Sequence, residues 1–154
     1  MKINFKKASS ADEDCVLAFM RAYYELDHLT LDEERARSAL KKILHDASVG
    51  QIWLIQDKTE TAGYMVLTLG FSLEYHGRDA FLDEIYIKES HRGKGIGQQA
   101  LAFIEAQCRL LGVHALHLEI ERTNAHAQKS YRRFGFVDHD RYLMTKRIAG
   151  RDSK

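Results

Sequence analysis

Three glycines and two cations lie within six residues of this chain, in the run Arg92-Gly-Lys-Gly-Ile-Gly97. The run falls between the end of a strand pattern and the start of a helical one. Glycines at such a turn expose backbone N–H groups, and the positive end of the following helix adds to their field. Arg92 and Lys94 contribute positive charge at the same place. The pattern predicts a site for a diphosphate ligand, with a solvated glycine-rich surface turn as the plain alternative.

Two other phosphate-binding motifs can be compared with this run. A Walker A loop requires Ser or Thr after its lysine, and glycine follows Lys94, so that motif is excluded. Residues 95–100 fit the dinucleotide fingerprint Gly-x-Gly-x-x-Ala, and Glu119 or Glu121 follows roughly 20 residues later, where a ribose-binding acid would lie. However, residues 88–92 separate the glycines from the strand, and too little chain follows for a doubly wound sheet. A dinucleotide-binding protein is therefore the second alternative.

Hydrophobic periodicity predicts the helices and strands that must position this turn. Glycine marks most of the sharp turns between them, because the chain contains no proline. Capping boxes and helical spacing predict two helices near the start, and β-rich runs predict an antiparallel meander after them. The predicted elements are a strand over residues 3–6, a helix after the capping box at 10–13, a helix from the capping box at 30–33 to Gly50, and strands over 51–56, 61–69 and 80–87.

The second half of the chain alternates between helix and strand. We expect a helix over 97–111 closed by Gly112, a strand over 114–121, a helix from the cap Asn124 through residue 134 closed by Gly135, and a strand over 141–148. The strand–helix–strand unit over 80–121 requires parallel pairing through a right-handed crossover. The predicted fold class is α/β (α+β), with a mixed, mostly antiparallel sheet of six to seven strands flanked by about four helices.

Composition excludes several classes of function. The 154 residues have the length of one domain, and 23 basic minus 22 acidic residues leave a net charge of +1. No overall field exists to recruit nucleic acid or an anionic membrane, and no apolar run is long enough for a membrane span. We expect no nucleic-acid partner, no membrane association and a cytoplasmic location.

Cysteine and histidine usage argues against a metal centre. Cys15 and Cys108 both fall within helical apolar patterns, so two reduced, packed thiols are expected. None of the eight histidines shows a helical ligand spacing such as His-x-x-x-His. We predict no bound metal.

Two motifs together resemble the GNAT family of N-acetyltransferases. The run from Arg92 to Gly97 resembles that family's Arg/Gln-x-x-Gly-x-Gly/Ala loop, which holds the pyrophosphate of acetyl-coenzyme A (acetyl-CoA). The block from Asn124-Ala-His-Ala127 through Tyr131 to Gly135 and Phe136 resembles its Asn-x-x-Ala…Tyr-x-x-x-Gly-Phe pattern. The resemblance implies a single domain over residues 1–150 with a tail over 151–154, and acetyl-CoA as co-substrate.

Two shorter segments resemble particular branches of the family. Residues 118–120, in their relation to Asn124 and Tyr131, resemble the ribosomal-protein N-terminal acetyltransferases, and residues 81–84 resemble the diamine acetyltransferases. The chain departs from the family at Glu89, where proline is common, and at His91, where an aromatic residue is common.

The resemblance implies roles for individual residues. The base that deprotonates the amine is Glu119 in the first branch and Asp83, or less so Glu84, in the second. Tyr131 is the implied general acid, and hydrogen bonding to the departing sulfur is its safer role. The backbone of Ile85, Tyr86 and Ile87 is implied to polarise the thioester carbonyl, and the implied coenzyme-binding residues are Arg92, Gly93, Lys94, Gly95, Ile96, Gly97, Asn124, Ser130 and Arg132.

The predicted reaction is direct attack of a primary amine on acetyl-CoA in a ternary complex, with a homodimer as one possible state. Six carboxylates on or beside the central strands would attract a small cationic amine: Glu74, Asp79, Asp83, Glu84, Glu119 and Glu121. Three alternatives stay open, namely a protein N-terminus or lysine as the acceptor, a module that senses coenzyme A without turnover, and the dinucleotide-binding protein.

Overall fold

A computed structural model describes residues 2–149, which form two compact units divided between Glu119 and Ile120. The proposed tail over 151–154 and the last residue of the predicted domain lie outside the described residues. The first unit contains β1 (Ile3–Lys7), a short 3-10 helix (Ser10–Asp12), α1 (Glu13–Leu26), α2 (Glu33–His45), β2 (Gly50–Asp57), β3 (Glu60–Ser72), β4 (Gly77–Ile87), a second 3-10 helix (Glu89–His91), α3 (Ile96–Leu110) and β5 (Ala115–His117); the second contains α4 (Ala125–Arg133).

The five strands form one sheet in the order β1-β2-β3-β4-β5. The first four pair antiparallel, and β5 pairs parallel to β4 after the α3 crossover. This arrangement confirms the predicted mixed α/β fold. The prediction of six to seven strands was too high for residues 2–149, because residues 141–148 belong to no strand. Every residue of this run is exposed, so the run lacks the buried face that stabilises a strand in a sheet.

The starts of the first two helices differ from the predicted capping boxes. The Asp12 carboxylate accepts hydrogen bonds from the Ser9 backbone N–H and hydroxyl, which places that box one residue earlier. The cap of α2 is Asp32, which accepts from the Arg35 N–H at 3.1 Å. Gly50 does not end α2, since it begins β2. An aspartate carboxylate can cap a helix as well as a Ser or Thr hydroxyl, which is why the pattern shifted.

The sheet buries both faces. On one face, residues of β2 and β3 pack against α1 and α2, with Val16, Leu17, Leu40, Tyr64 and Val66 in a single apolar cluster. On the other face, Phe103 of α3 stacks on Phe5 of β1 with ring centroids 4.5 Å apart and meets Trp53 of β2 edge-on at 5.5 Å. Each fully buried large side chain contributes about 1.5–3 kcal/mol to folding.

A β-bulge in β4 decides which face its carboxylates occupy. Val66 pairs with Glu84 and Leu67 pairs with Leu82, so Asp83 is an extra residue on β4. Directly paired residues share a face and neighbours on a strand alternate, so Leu82 and Glu84 point to opposite faces although they are two residues apart. The bulge therefore turns Glu84 toward α1.

The bulge also accounts for a strand that is shorter than predicted. The ladder between β4 and β5 ends at the pair Phe81–His117, just before Asp83. A bulge disrupts pairing and bends its strand, so β4 leaves β5 at this point. The predicted strand over 114–121 is wrong beyond His117, and Glu119 lies after the strand as an exposed residue.

Candidate active site

The glycine-rich turn joins β4 to α3 in the geometry that anion binding requires. Gly93 and Gly95 have φ of 73° and 75°, in the left-handed region where a side chain costs energy, and Gly95 is the residue before α3. The first amides of α3 have no intrahelical acceptors and remain available to a ligand. The turn therefore combines exposed N–H groups with the positive end of a 15-residue helix.

The side chains around the turn hold it to the sheet. Arg92 Nε donates to the Ile87 carbonyl and Lys94 Nζ donates to the Ser90 carbonyl, each at 2.8 Å. The Arg92 guanidinium also lies over the Tyr86 ring, 5.6 Å from its centroid. His91 is buried, with its Nε2 3.7 Å from an Asp57 carboxylate oxygen. These contacts fix the turn before any ligand arrives.

One edge of β4 beyond the bulge has no strand beside it. Residues 82–87 pair with β3 on one side, whereas β5 pairs only with residues 79–81. Among the described residues, no strand covers the backbone groups of Ile85 and Ile87 that point away from β3. Such an open edge can bond an extended ligand or a polarised carbonyl group.

Two of the predicted bases, Asp83 and Glu119, line the same small pocket. Tyr23, Phe81 and Leu82 complete its wall, and its volume is about 140 Å³. The Asp83 side chain reaches solvent, yet the surrounding protein removes enough water to raise its pKa. The structure thus brings together the residues that two branches of one family suggested separately.

Glu84 occupies a different environment on the α1 face. Its two carboxylate oxygens accept hydrogen bonds from the Tyr24 hydroxyl, at 2.7 Å, and from the Tyr64 hydroxyl. Burial raises the Glu84 pKa, and the two hydroxyl donors oppose that rise without cancelling it. Both of its oxygens are therefore already engaged.

The tyrosines around these carboxylates were not recognised as site residues from the sequence. Tyr23 lines the Asp83 pocket, and Tyr24 and Tyr64 bind Glu84. Burial raises the pKa of all three hydroxyls, which therefore stay protonated at neutral pH. Tyr64 carried a usable signal, because a hydroxyl inside the otherwise apolar stretch over residues 62–67 must find a polar partner.

The cysteines differ from each other in burial. Cys108 is buried in α3, and burial raises its pKa to about 11. Cys15 is only half-buried and lines an apolar cavity of about 430 Å³ with Phe19, Tyr86 and Lys88. Burial also raises the pKa of Cys15, so neither thiol has the character of a nucleophile. Among residues 2–149, no group of three or more His, Cys, Asp or Glu side chains could hold a metal ion.

The second unit carries the remaining predicted residues on α4 or at its cap. Asn124 accepts from the Ala127 N–H at 3.0 Å and caps the helix as expected. Tyr131 is half-buried, its ring lies edge-on to Phe136 at 5.7 Å, and burial raises its pKa. Ser130 is half-buried, and Arg132 is exposed and paired with Asp138.

The sequence pattern of the acetyltransferase (GNAT) family matches residues 14–136 of this chain. Because the match covers well over half of the 154 residues, the chain belongs to this family. The resemblance drawn from the loop and the Asn124–Phe136 block is thereby confirmed. In the part of the chain that the structure describes, no helix is long and apolar enough to cross a membrane.

Individual relatives agree with this assignment. The uncharacterized N-acetyltransferase YycN of Bacillus subtilis (strain 168) is 33% identical over 75 residues, which are 49% of this chain and 47% of that protein. Spermine/spermidine N(1)-acetyltransferase of the same organism is 39% identical over 57 residues, or 36% and 38% of the two chains. The chain thus spans about half the length, or less, of these curated relatives. The solved structure of an integron cassette protein from the mobile metagenome of Cole Harbour Salt Marsh is 35% identical, with a TM-score of 0.83 over 95% of this chain and 91% of that chain.

Proposed function

We propose that this protein transfers the acetyl group of acetyl-CoA to the primary amine of a small cationic molecule, by direct attack in a ternary complex. The observation that carries the proposal is the turn over 92–97, where left-handed glycines, the N-terminus of α3 and two cations meet beside an open strand edge. A coenzyme with a diphosphate and an extended amide arm matches these two features, because the turn suits the diphosphate and the edge suits the arm.

The acceptor amine reaches Asp83 and Glu119 as an ammonium ion, because its pKa is about 10. One of these carboxylates removes the proton, and the free amine then attacks the thioester carbon. The backbone beside Ile85 and Ile87 polarises the carbonyl. Asp83 is the proposed base, because burial raises its pKa and so strengthens its hold on a proton. Glu84 ties α1 to the sheet through the Tyr24 hydroxyl.

Tyr131 and the α4 cap complete the proposal. The Tyr131 hydroxyl donates a hydrogen bond to the sulfur as negative charge develops on it. Asn124 contacts the coenzyme arm while capping its helix, and Ser130 and Arg132 reach toward the adenosine end. The protein acts in the cytoplasm.

A small cationic acceptor is favoured by the charge around the pocket. Asp83 and Glu119 both line it, and Tyr23 and Phe81 add aromatic rings to its wall, a residue type whose ring faces attract cations. A relative that shares 39% identity over 57 residues is named for spermine and spermidine acetylation. A protein N-terminus or a lysine side chain is the alternative acceptor.

Thermal melting with and without ligand tests the proposal. Acetyl-CoA at a hundredfold excess over its Kd should stabilise the protein by about 2.7 kcal/mol, which is a rise in Tm of roughly 5–10 °C. NAD and NADP are the matched controls, and a shift with these alone would establish the dinucleotide-binding alternative. Release of free thiol in the presence of an amine panel separates an enzyme from a module that only senses coenzyme A.

A further inference from the structure

A histidine that the proposed chemistry does not use lies beside the Asp83–Glu119 pocket. His117 is the last residue of β5, and its Nε2 lies 3.1 Å from Oδ2 of Asp79 on β4. Both side chains are mostly buried, with 19% and 16% of their surfaces exposed. The rings of Tyr75 and Phe81 each lie 5.0 Å from the imidazole, centroid to centroid. The pair is therefore enclosed by aromatic rings and has a fixed geometry.

The Asp79 contact decides which imidazole nitrogen can take a proton. An ionised carboxylate only accepts hydrogen bonds, so Nε2 must carry the hydrogen and donate it to Asp79. The neutral ring then has Nδ1 as its acceptor. A proton that arrives from elsewhere is therefore taken up at Nδ1, while Nε2 stays bonded to Asp79.

The register of the sheet places this pair next to the pocket. Phe81 pairs with His117 across the β4–β5 ladder, touches its ring and is also a wall of the pocket. Glu119, another wall residue, follows His117 by only two residues in the chain.

We propose that His117, oriented by Asp79, receives the proton that Asp83 or Glu119 removes from the acceptor ammonium. This inference rests on the proposed acetyl transfer. In that reaction a C–N bond forms and the C–S bond breaks, the coenzyme thiolate takes one amine proton, and the ammonium's additional proton must leave the site. That additional proton is the one His117 accepts and passes to water.

A histidine suits this step better than the carboxylates do. Each imidazole nitrogen can act as a hydrogen-bond donor or as an acceptor, so one ring can take a proton at Nδ1 and pass it on to water. The ionisable groups that face it are Asp79 on β4 and Tyr75 before β4, with Asp83, Glu119 and Tyr23 around the neighbouring pocket.

The test compares pH–rate profiles of His117→Gln and Asp79→Asn with wild type. His114→Gln is the matched control, because His114 precedes the same strand and is exposed. We expect His117→Gln to lower kcat about ten- to a hundredfold at neutral pH. It should also change the shape of the pH–rate profile, with coenzyme affinity unchanged. Asp79→Asn should show the same change in smaller degree, since it disturbs the tautomer without removing the ring.

Rescue by free imidazole separates a proton-transfer role of His117 from a purely structural one, because added imidazole can replace the lost proton acceptor but does not repair a packing defect. Free imidazole should restore part of the turnover of His117→Gly and none of any loss in His114→Gly. A pH–rate profile of His117→Gln parallel to that of wild type would overturn the inference and leave the proposed function standing. Absence of acetyl transfer by wild type with every amine would overturn both. If His117→Gln does not fold, the pH–rate profile of Asp79→Asn decides.

Discussion

Asp83 and Glu84 are adjacent carboxylates with different surroundings. Asp83 opens to a pocket where its raised pKa is useful to a base, and its side chain reaches solvent. Glu84 is turned inward and receives two tyrosine hydroxyls, so neither of its oxygens is available to a substrate. These environments, more than the residue types, make Asp83 the candidate for chemistry and Glu84 the candidate for a positioning role.

The ionisation of Asp83 should govern the acid limb of the pH–rate profile. A base acts only when ionised, and burial raises its pKa, so the rate should fall as the pH drops through a value above the usual range for aspartate. Asp83→Asn should remove this limb and lower kcat about a hundredfold. Glu119→Gln is the competing variant, and Glu105→Gln on the exposed side of α3 is the control. If only Glu119→Gln loses the acid limb of the pH–rate profile, Glu119 is the general base instead of Asp83.

Tyr131 should act through its hydroxyl in the transition state. Burial raises its pKa, so the hydroxyl stays protonated at neutral pH and can donate to the departing sulfur. Tyr131→Phe should lower kcat about ten- to a hundredfold while Kd for acetyl-CoA changes less than twofold, because only a transition-state contact is lost. Tyr142→Phe, at a residue that is 77% exposed, should retain full turnover. If Tyr131→Phe and Tyr142→Phe have equal kcat, the Tyr131 hydroxyl has no catalytic role and the side chain serves only in packing.

At the scale of elements, the sequence predicted the order and type of the α-helices and strands from β1 to α4, because they depend on local signals, whereas the strand predicted over 141–148 is absent. The capping residue Asn124, the helical spacing after Ile96 and the closing Gly112 all lie within a few residues of what they control. The parallel β4–β5 pairing was equally predictable, since a strand–helix–strand unit admits one hand of crossover.

The features that shape the site were not predictable, because they depend on contacts across the chain. The bulge at Asp83 was not predictable from the sequence of β4. Leu82 and Glu84 are two residues apart, so a regular strand would place both side chains on the same face, whereas the bulge places them on opposite faces. The hydroxyl partners of Glu84 lie 20 and 60 residues away in sequence. The alternation over residues 114–121 predicted a longer strand, but β5 ends at His117 because its end depends on the bend in β4.

The two glycines that flank α3 have similar backbone strain but different expected roles. Gly95 and Gly112, at opposite ends of α3, have φ of 75° and 67°, and an added Cβ would meet no atom within 4 Å at either position. Alanine at either position should therefore cost about 1–2 kcal/mol of stability through backbone strain alone. Only Gly95→Ala should also weaken acetyl-CoA binding, by roughly tenfold, because it distorts the amides that face the diphosphate. Calorimetric titration measures the affinity for acetyl-CoA, and thermal melting measures the stability. Equal affinities in the two variants would show that the diphosphate does not bind at this turn.

For the whole molecule, the net charge of +1 conceals an uneven distribution of charge. Cations concentrate at the turn over 92–97, and carboxylates concentrate where Asp83 and Glu119 share a pocket. Of the other acids near the strands, Asp79 is paired with His117 and Glu84 with tyrosines. The protein can therefore attract an anionic coenzyme and a cationic acceptor at different sites without a large overall field.

The acceptor preference should follow from this local charge. A straight-chain diamine and the monoamine of equal length differ only in a second ammonium group, so their ratio of kcat/KM isolates the attraction of the carboxylates. We expect the diamine to be favoured about fivefold at low salt, which corresponds to two charges interacting about 8 Å apart in a partly aqueous site. The preference should shrink toward unity near 1 M salt, where the Debye length falls to about 3 Å. A short peptide with a free N-terminus is the third acceptor in the panel. If it outpaces both amines, or if the diamine preference does not change with salt, carboxylate attraction does not select the acceptor.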